Sequence, residues 1–356
     1  SMKDLNFIKL AVVYAGCFLG AGYVSGQELL QYFGDFGLMG YVGLAGAMLL
    51  FFLLGLLIMS LTEKTGIYEA EKLAVPWEIK PLRVCFSALE MLLMFAIAAI
   101  MNAGAGALAE QLFSIPHAAA GAVFAGVVLL CALAGLSSLV SVFSLSVPCL
   151  ALASVLTAAA TLVRGGVPAL ETQSANGLLG NWFVSAMNFA CYNFFATIVI
   201  IAPFGRYVKK RGTRVAGIGC GTLMLLLIAL GVLLSVDCVP GAAESELPML
   251  TVAARLHPWA GYGYALLLIA AMFGAALSSQ VSVVNYFAGK FPAVGRKRGL
   301  FTALVCGTSF AAGLFGFGDL IGVLYPVFGY GSILFIVTIT AHYFMISGKR
   351  KKKNEG

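Results

Sequence analysis

Ten apolar stretches, separated by shorter polar or charged intervals, run along the chain at about residues 6–33, 38–61, 82–112, 118–135, 138–163, 179–205, 213–236, 260–289, 299–316 and 320–347. Each can cross the hydrocarbon core of a bilayer as a helix, and none shows the short alternating pattern of a barrel strand. The pattern predicts an all-α polytopic membrane protein with ten transmembrane helices. The first stretch is the irregular one. Gly16-Cys17-Phe18-Leu19-Gly20-Ala21-Gly22-Tyr23-Val24-Ser25-Gly26-Gln27-Glu28 places four glycines and three polar side chains in its middle. Each glycine costs about 1 kcal/mol against alanine inside a helix. A helix broken in mid-membrane is therefore expected. The carbonyls and amides freed there must be met by protein, water or a ligand. The half-helix ends offer poles for a charged solute and a cation.

Composition agrees: 61% of the 356 residues are hydrophobic and 10% are charged, far from the soluble range. Ser1 ahead of Met2 reads as an addition from cloning, and the first stretch lacks the small-residue cleavage site of a leader. The net charge of +7 is a matter of topology and not of a nucleic-acid partner. All but two of the 22 Lys and Arg residues lie at the amino terminus, after spans 2, 6 and 8, or in the tail; Arg164 and Arg255 are the exceptions. With ten spans these sites share one side, which the positive-inside rule makes cytoplasmic. Both termini are then cytoplasmic. The tail, 348–356, carries Lys349 to Lys353 without a break in charge, as an anchor against anionic lipid or a regulatory segment. The loop at 62–81 suits a short interfacial helix; the loop at 237–259 is a connector or a lid. The eight cysteines are scattered without metal-ligand spacing and read as apolar filler.

Five spans in each half make the halves run oppositely through the membrane. Residues 2–163 and 164–347 then form an inverted repeat, with the basic tail outside it. The repeat predicts a second break, in span 6, where Asn188, Tyr192, Asn193, Phe194 and Phe195 lie at mid-depth without a glycine. Span 8 holds Ala275, Ser278, Ser279 and Gln280. Its adjacent hydroxyls suit a hard cation such as Na⁺, or bond back to carbonyls one turn earlier. Glu28 follows the break; a carboxylate there either binds a solute ammonium or a proton, or satisfies freed backbone. Glu90 in span 3 snorkels or relays protons. Asn102, deeper in the same span, lines the site or bonds across helices. Tyr23, Tyr192, Phe194, Phe195 and Tyr325 wall an apolar pocket or simply pack. Pro148 and Pro326 predict kinks in spans 5 and 10.

The Gly16, Gly20 and Gly22 pattern resembles the unwound first helix of sodium-coupled LeuT-fold transporters. Ala275, Ser278 and Ser279 resemble the sodium motif in the same fold's eighth span. More closely, Phe18 to Glu28 is similar to the bacterial YkvI-like group, regarded as amino-acid permeases of the amino acid–polyamine–organocation superfamily. The resemblance implies a 5+5 fold with broken helices 1 and 6. It implies one sodium site formed by the carbonyls of Gly16, Leu19 and Ala275 and the hydroxyls of Ser278 and Ser279. It also implies a substrate site at Gly20, Ala21 and Gly22, whose amides would hold a carboxylate. Around these, Tyr23, Glu28, Asn102, Tyr192, Asn193 and Phe194 are the other candidate substrate-binding residues. Amine-transporting members carry an aspartate where Gly20 stands. Tyr23 replaces the asparagine of a second sodium site, so that site is not expected.

The chain shows no phosphate-cradling loop and no HExxH pattern, so neither an ATP-driven pump nor an enzyme is expected, and no cofactor beyond Na⁺ as coupling ion. The expected function is Na⁺-driven symport of a small zwitterionic solute, an amino acid foremost, by alternating access. Proton coupling through Glu28 or Glu90 is the alternative, as is a channel or membrane sensor without coupling. The partners implied are a small-molecule substrate and the lipid bilayer; the oligomeric state stays open.

Overall fold

The computed structural model describes residues 6–135, 145–169 and 176–354; residues 138–144 of the expected fifth span lie outside them. Among the described residues the regular elements are helices throughout. Span 1 is built from α1 (Phe7–Phe18), α2 (Ala21–Ser25), α3 (Gln27–Leu29) and a π-helical turn over Leu30–Gly34. Then follow α4 (Leu38–Thr65), the short α5 (Ala70–Ala74) in the polar loop, α6 (Lys80–Phe113), α7 (His117–Leu133) and α8 (Ser146–Val163). The second half holds α9 (Trp182–Phe204), α10 (Arg211–Asp237), α11 (Pro248–Leu256), α12 (Pro258–Lys290), α13 (Pro292–Arg296), α14 (Arg298–Gly313) and α15 (Phe317–Asn354). Seven of these helices are long and apolar enough to cross a membrane. Helices α7 and α14, of 17 and 16 residues, each reach about 25 Å at 1.5 Å per residue.

Polar residues set the ends. The Asn6 side chain accepts from the Lys9 amide at 2.9 Å, and Asn181 accepts from the amides of Phe183 and Val184, both as helix N-caps. The packing is reciprocal between halves. Helix α1 lies along α10 as α9 lies along α4, α6 meets α15 as α12 meets α8, and α14 meets α6 as α7 meets α12. Helices α6 and α12 pack on each other at the centre. Where backbones come close, glycine is required: a Cβ on Gly40 would stand 1.7 Å from the Phe33 carbonyl oxygen. Aliphatic side chains such as Leu53, Val123, Leu130, Leu266 and Leu304 cover the outside, more than half of each exposed except Leu53 at 50%, as a lipid-facing surface requires.

The break in span 6 does not occur. Helix α9 runs continuously from Trp182 to Phe204. With no glycine to loosen the helix, the polar groups find partners without unwinding it. Asn193 donates to the Phe189 carbonyl one turn back at 3.0 Å. Asn188 donates to Pro326 O at 2.9 Å and accepts from the Tyr32 hydroxyl at 3.0 Å. Pro326 sits inside α15 and has no N–H to offer the Gly322 carbonyl. The Asn176 side chain donates to that carbonyl instead, at 2.6 Å.

Candidate functional site

Span 1 breaks between Phe18 and Ala21. The Gly20 amide turns to Phe18 O at 3.0 Å, so the Gly16 carbonyl loses its helical donor. Helix α2 begins with Gly20 as N-cap, and its first bond runs from Val24 N to Gly20 O at 3.2 Å. The Leu19 carbonyl therefore lies outside both helices, and the amides of Ala21, Gly22 and Tyr23 have no carbonyl one turn back. Gly26 ends α2 with φ +89°, a conformation that costs a residue with a Cβ roughly 1–2 kcal/mol. This turn sends the chain back, so that Glu28 folds over the break. Its Oε2 would lie 2.8 Å from a Cβ placed on Gly22.

A cavity of about 240 Å³ opens at this point, lined by Leu19, Gly20, Ala21, Gly22 and Glu28 from span 1 and by Tyr192 and Asn193 from α9. Ala275, Ser278 and Ser279 of α12 line it too, and Leu93, Met94, Ile97, Met101, Ala196, Ile200 and Tyr325 supply further walls. The lining of α6 and α9 places the cavity on the side of the break that faces the basic loops. Glu28 is 4% exposed. It accepts from the Tyr192 hydroxyl and, at 3.4 Å, from the Asn193 amide. No Lys, Arg or His pairs with it among the described residues. Tyr192 is held between two rings, stacked at 4.6 Å on Tyr325 and 5.7 Å on Tyr32. The hydroxyls of Ser278 and Ser279 make no hydrogen bond to another described residue, whereas neighbouring Ser282 bonds back to Ser278 O at 2.8 Å.

The structure thus brings together Leu19, Gly20, Ala21, Gly22, Glu28, Tyr192, Asn193, Ala275, Ser278 and Ser279. Four sequence candidates lie elsewhere. Gly16 lines a separate apolar hollow between α1, α8 and α10. Tyr23 turns away and donates to Leu225 O at 2.7 Å, fixing α2 to α10. Phe194 packs on Phe18 with centroids 6.4 Å apart. Asn102 faces α14, donating to Ala98 O at 3.0 Å and Ser309 Oγ at 3.4 Å. Glu90 does not line this cavity. The apolar walls from α6 carried no sequence signal, because Leu, Met and Ile there look like any lipid-facing or core residue.

At the end away from the basic loops the path is closed. Gln31 donates to Gly318 O at 2.9 Å, Glu246 accepts from Gly318 N at 2.6 Å, and Asn176 holds Gly322 O. A polar hollow of about 300 Å³ lies against this seal, lined by Gln27, Gln31, Asn176, Glu244, Glu246 and Asp319 among others.

The chain matches no established family profile. It is 22% identical over 332 residues to the uncharacterized membrane protein YkvI of Bacillus subtilis, covering 92% of this chain and 93% of that one. In three dimensions it is similar to Mhp1 in its inward-facing conformation, with a TM-score of 0.63 at 14% identity, over 96% of this chain and 79% of that one. It is also similar to a manganese transporter of Eremococcus coleocola, with a TM-score of 0.54 at 14% identity, over 91% and 76%. At these identities both likenesses are of the fold. The chain is a polytopic, all-helical membrane protein with the LeuT fold.

Proposed function

We propose that the chain is a secondary transporter that moves a small zwitterionic solute, an amino acid foremost, with Na⁺ by alternating access. The observation that carries this reading is one cavity holding a broken backbone, a buried carboxylate with no cationic partner among the described residues and two hydroxyls that bond to none of them. The solute ammonium is taken by Glu28, oriented by Tyr192 and Asn193. The solute carboxylate meets the amides at the start of α2. Na⁺ is taken by the carbonyls of Leu19 and Ala275 and the hydroxyls of Ser278 and Ser279, oxygens of the hard kind it prefers. Gly16 is the fifth ligand implied by resemblance; its carbonyl has lost its helical donor, which supports that role.

The charges support the combination. A buried uncompensated carboxylate costs several kcal/mol. Glu28, one Na⁺ and one zwitterion sum to zero, so the loaded site can close in a low-dielectric interior. A proton on Glu28 balances the same sum and is the second reading. The reciprocal packing of the helices supports the repeat of 2–163 with 164–347. The seal at one end and the cavity toward the other support a state closed outside and accessible from the cytoplasm, in the bacterial inner membrane. Na⁺ drives the cycle through its differential affinity for the two states.

The test is thermal unfolding of the purified chain in Na⁺ and in K⁺ at equal ionic strength, against amino acids, amines, betaines and nucleobases. Ligands of the folded state raise the midpoint by mass action. A Na⁺-dependent shift that grows with amino acids is expected. A solute shift indifferent to Na⁺ but dependent on pH would move the coupling to the proton, and the absence of any solute shift with intact folding would overturn the transporter reading.

A further inference from the structure

A different cavity, of about 340 Å³, lies between α4, α10 and α15 at the end that carries the basic loops. Its wall is apolar: Leu53, Leu56 and Leu57 from α4 and Val215 from α10. Leu53 is 50% exposed and Val215 42%, so this wall faces the hydrocarbon of the bilayer. Its rim is polar and basic, formed by Ser60, Arg211, Arg214 and Tyr343. Arg214 is buried and already committed, to the Glu63 carboxylate and to Met59 O at 3.4 Å. Arg211 is exposed and pairs with no carboxylate among the described residues. Lys64 stands 4.4 Å from the centroid of the Tyr343 ring and donates to Ser347 at 2.7 Å. Among the described residues, three cations thus surround the rim against the one carboxylate of Glu63. The Ser60 hydroxyl bonds to no other described residue.

We propose that this cavity binds an anionic phospholipid, its phosphate against Arg211 and Ser60 and an acyl chain along Leu53, Leu56, Leu57 and Val215. The two halves of the lining require the two halves of one amphiphile. A free anion would leave the leucine wall unfilled, and an apolar solute would leave Arg211 unanswered at the polar edge of the membrane. A zwitterionic headgroup brings its own cation to a rim that is already net positive, whereas an anionic headgroup relieves that excess. The bound lipid would bridge α4 of the first half to α10 and α15 of the second.

The test is thermal unfolding of the full chain in detergent, titrated with phosphatidylglycerol, with phosphatidylcholine of the same acyl chains, and with inorganic phosphate. Phosphatidylglycerol is expected to raise the midpoint at lower concentration than phosphatidylcholine, and phosphate alone to leave it unmoved. Arg211→Gln, at an exposed position that leaves the fold intact, should weaken phosphatidylglycerol about fivefold, the value of one basic residue at a membrane surface, and leave phosphatidylcholine unchanged. Arg211→Lys should restore most of the difference. Lys297→Gln, an exposed cation at the same end, should change neither. Equal response to the two lipids, equal effects of Arg211→Gln and Lys297→Gln, or a shift by phosphate alone would each overturn the assignment: the first two leave diffuse surface attraction, the third a free-anion site.

Discussion

Tyr192→Phe removes a single hydroxyl, and the structure says what it leaves behind. That hydroxyl donates to Glu28 Oε1; the other donor is Asn193, at the long distance of 3.4 Å. A hydrogen bond to a charged group contributes about 1.5–3 kcal/mol, and a buried acceptor deprived of its donor costs about 1–3 kcal/mol. We expect Tyr192→Phe to destabilise the protein by about 2 kcal/mol, which for a chain of this size lowers the unfolding midpoint by roughly 3 °C. Glu28→Gln keeps the shape and removes the charge. The Tyr192 hydroxyl then bonds a neutral amide at about 1 kcal/mol, so Tyr192→Phe in that background should cost about half as much. The coupling of the pair is thus about 1 kcal/mol, inside the range for side chains in contact. Glu28→Gln alone should raise the midpoint of the empty protein, because an uncompensated buried charge is gone, and abolish the solute-dependent shift. The assay is the four-member cycle by scanning fluorimetry in one detergent at fixed Na⁺ and pH. Effects that add to within about 0.3 kcal/mol would mean that Tyr192 and Glu28 do not interact, and the proposed site would lose its centre.

Ser278→Ala combined with Ser279→Ala should abolish the stabilisation by Na⁺ over K⁺ while leaving the K⁺ midpoint nearly unchanged; persistence of the Na⁺ effect would remove the ion from α12. Gly20→Asp has room, since nothing lies within 4 Å of a Cβ there. It should fold normally yet weaken a carboxylate-bearing solute by at least tenfold in the same titration. Gly40→Ala forces a Cβ to 1.7 Å from the Phe33 carbonyl and should cost about 1–3 kcal/mol or more as overpacking against backbone that cannot move aside. Gly46→Ala, in the same helix with nothing within 4 Å, should be neutral or stabilise by up to about 1 kcal/mol, and comparing the two midpoints checks the close approach of α4 to span 1.

The apolar stretches locate most ends of the long helices to within a few residues, because length and hydropathy suffice where the solvent is hydrocarbon; α15 runs on to Asn354, past the end of the last stretch at 347, and the short α11 and α13 lie outside the stretches. The break in span 1 was legible for a similar reason: glycine is a backbone property, visible without a partner. The break expected in span 6 was an argument from symmetry, and the local chemistry decided otherwise. Asn193 found its acceptor in Phe189, one turn back on its own helix, whereas Asn188 found its acceptor in Pro326 on α15, which cannot be read from span 6. Glu28 stood out in the sequence as a charge in the wrong solvent, but its two donors are 164 and 165 positions away. Tyr23 and Phe194 were candidates as aromatic walls of a pocket, yet Tyr23 donates to Leu225 O and Phe194 packs on Phe18. Glu246, an ordinary loop carboxylate by sequence, became part of the seal only through the position of Gly318.

That seal has a consequence for how the empty protein spends its time. Two hydrogen bonds between neutral groups at about 0.5–1.5 kcal/mol each and one to the Glu246 carboxylate at about 1.5–3 kcal/mol hold it shut, a total of about 2.5–6 kcal/mol. At equilibrium such a closure is open between roughly one part in seventy and one in twenty-five thousand. Under the proposed function, such opening would let the empty protein sample the far side of the membrane by thermal motion, without consuming a gradient. Because all three bonds end on Gly318 and Gly322 of α15, and because Pro326 is what frees the Gly322 carbonyl, this waiting time is written into one turn of one helix.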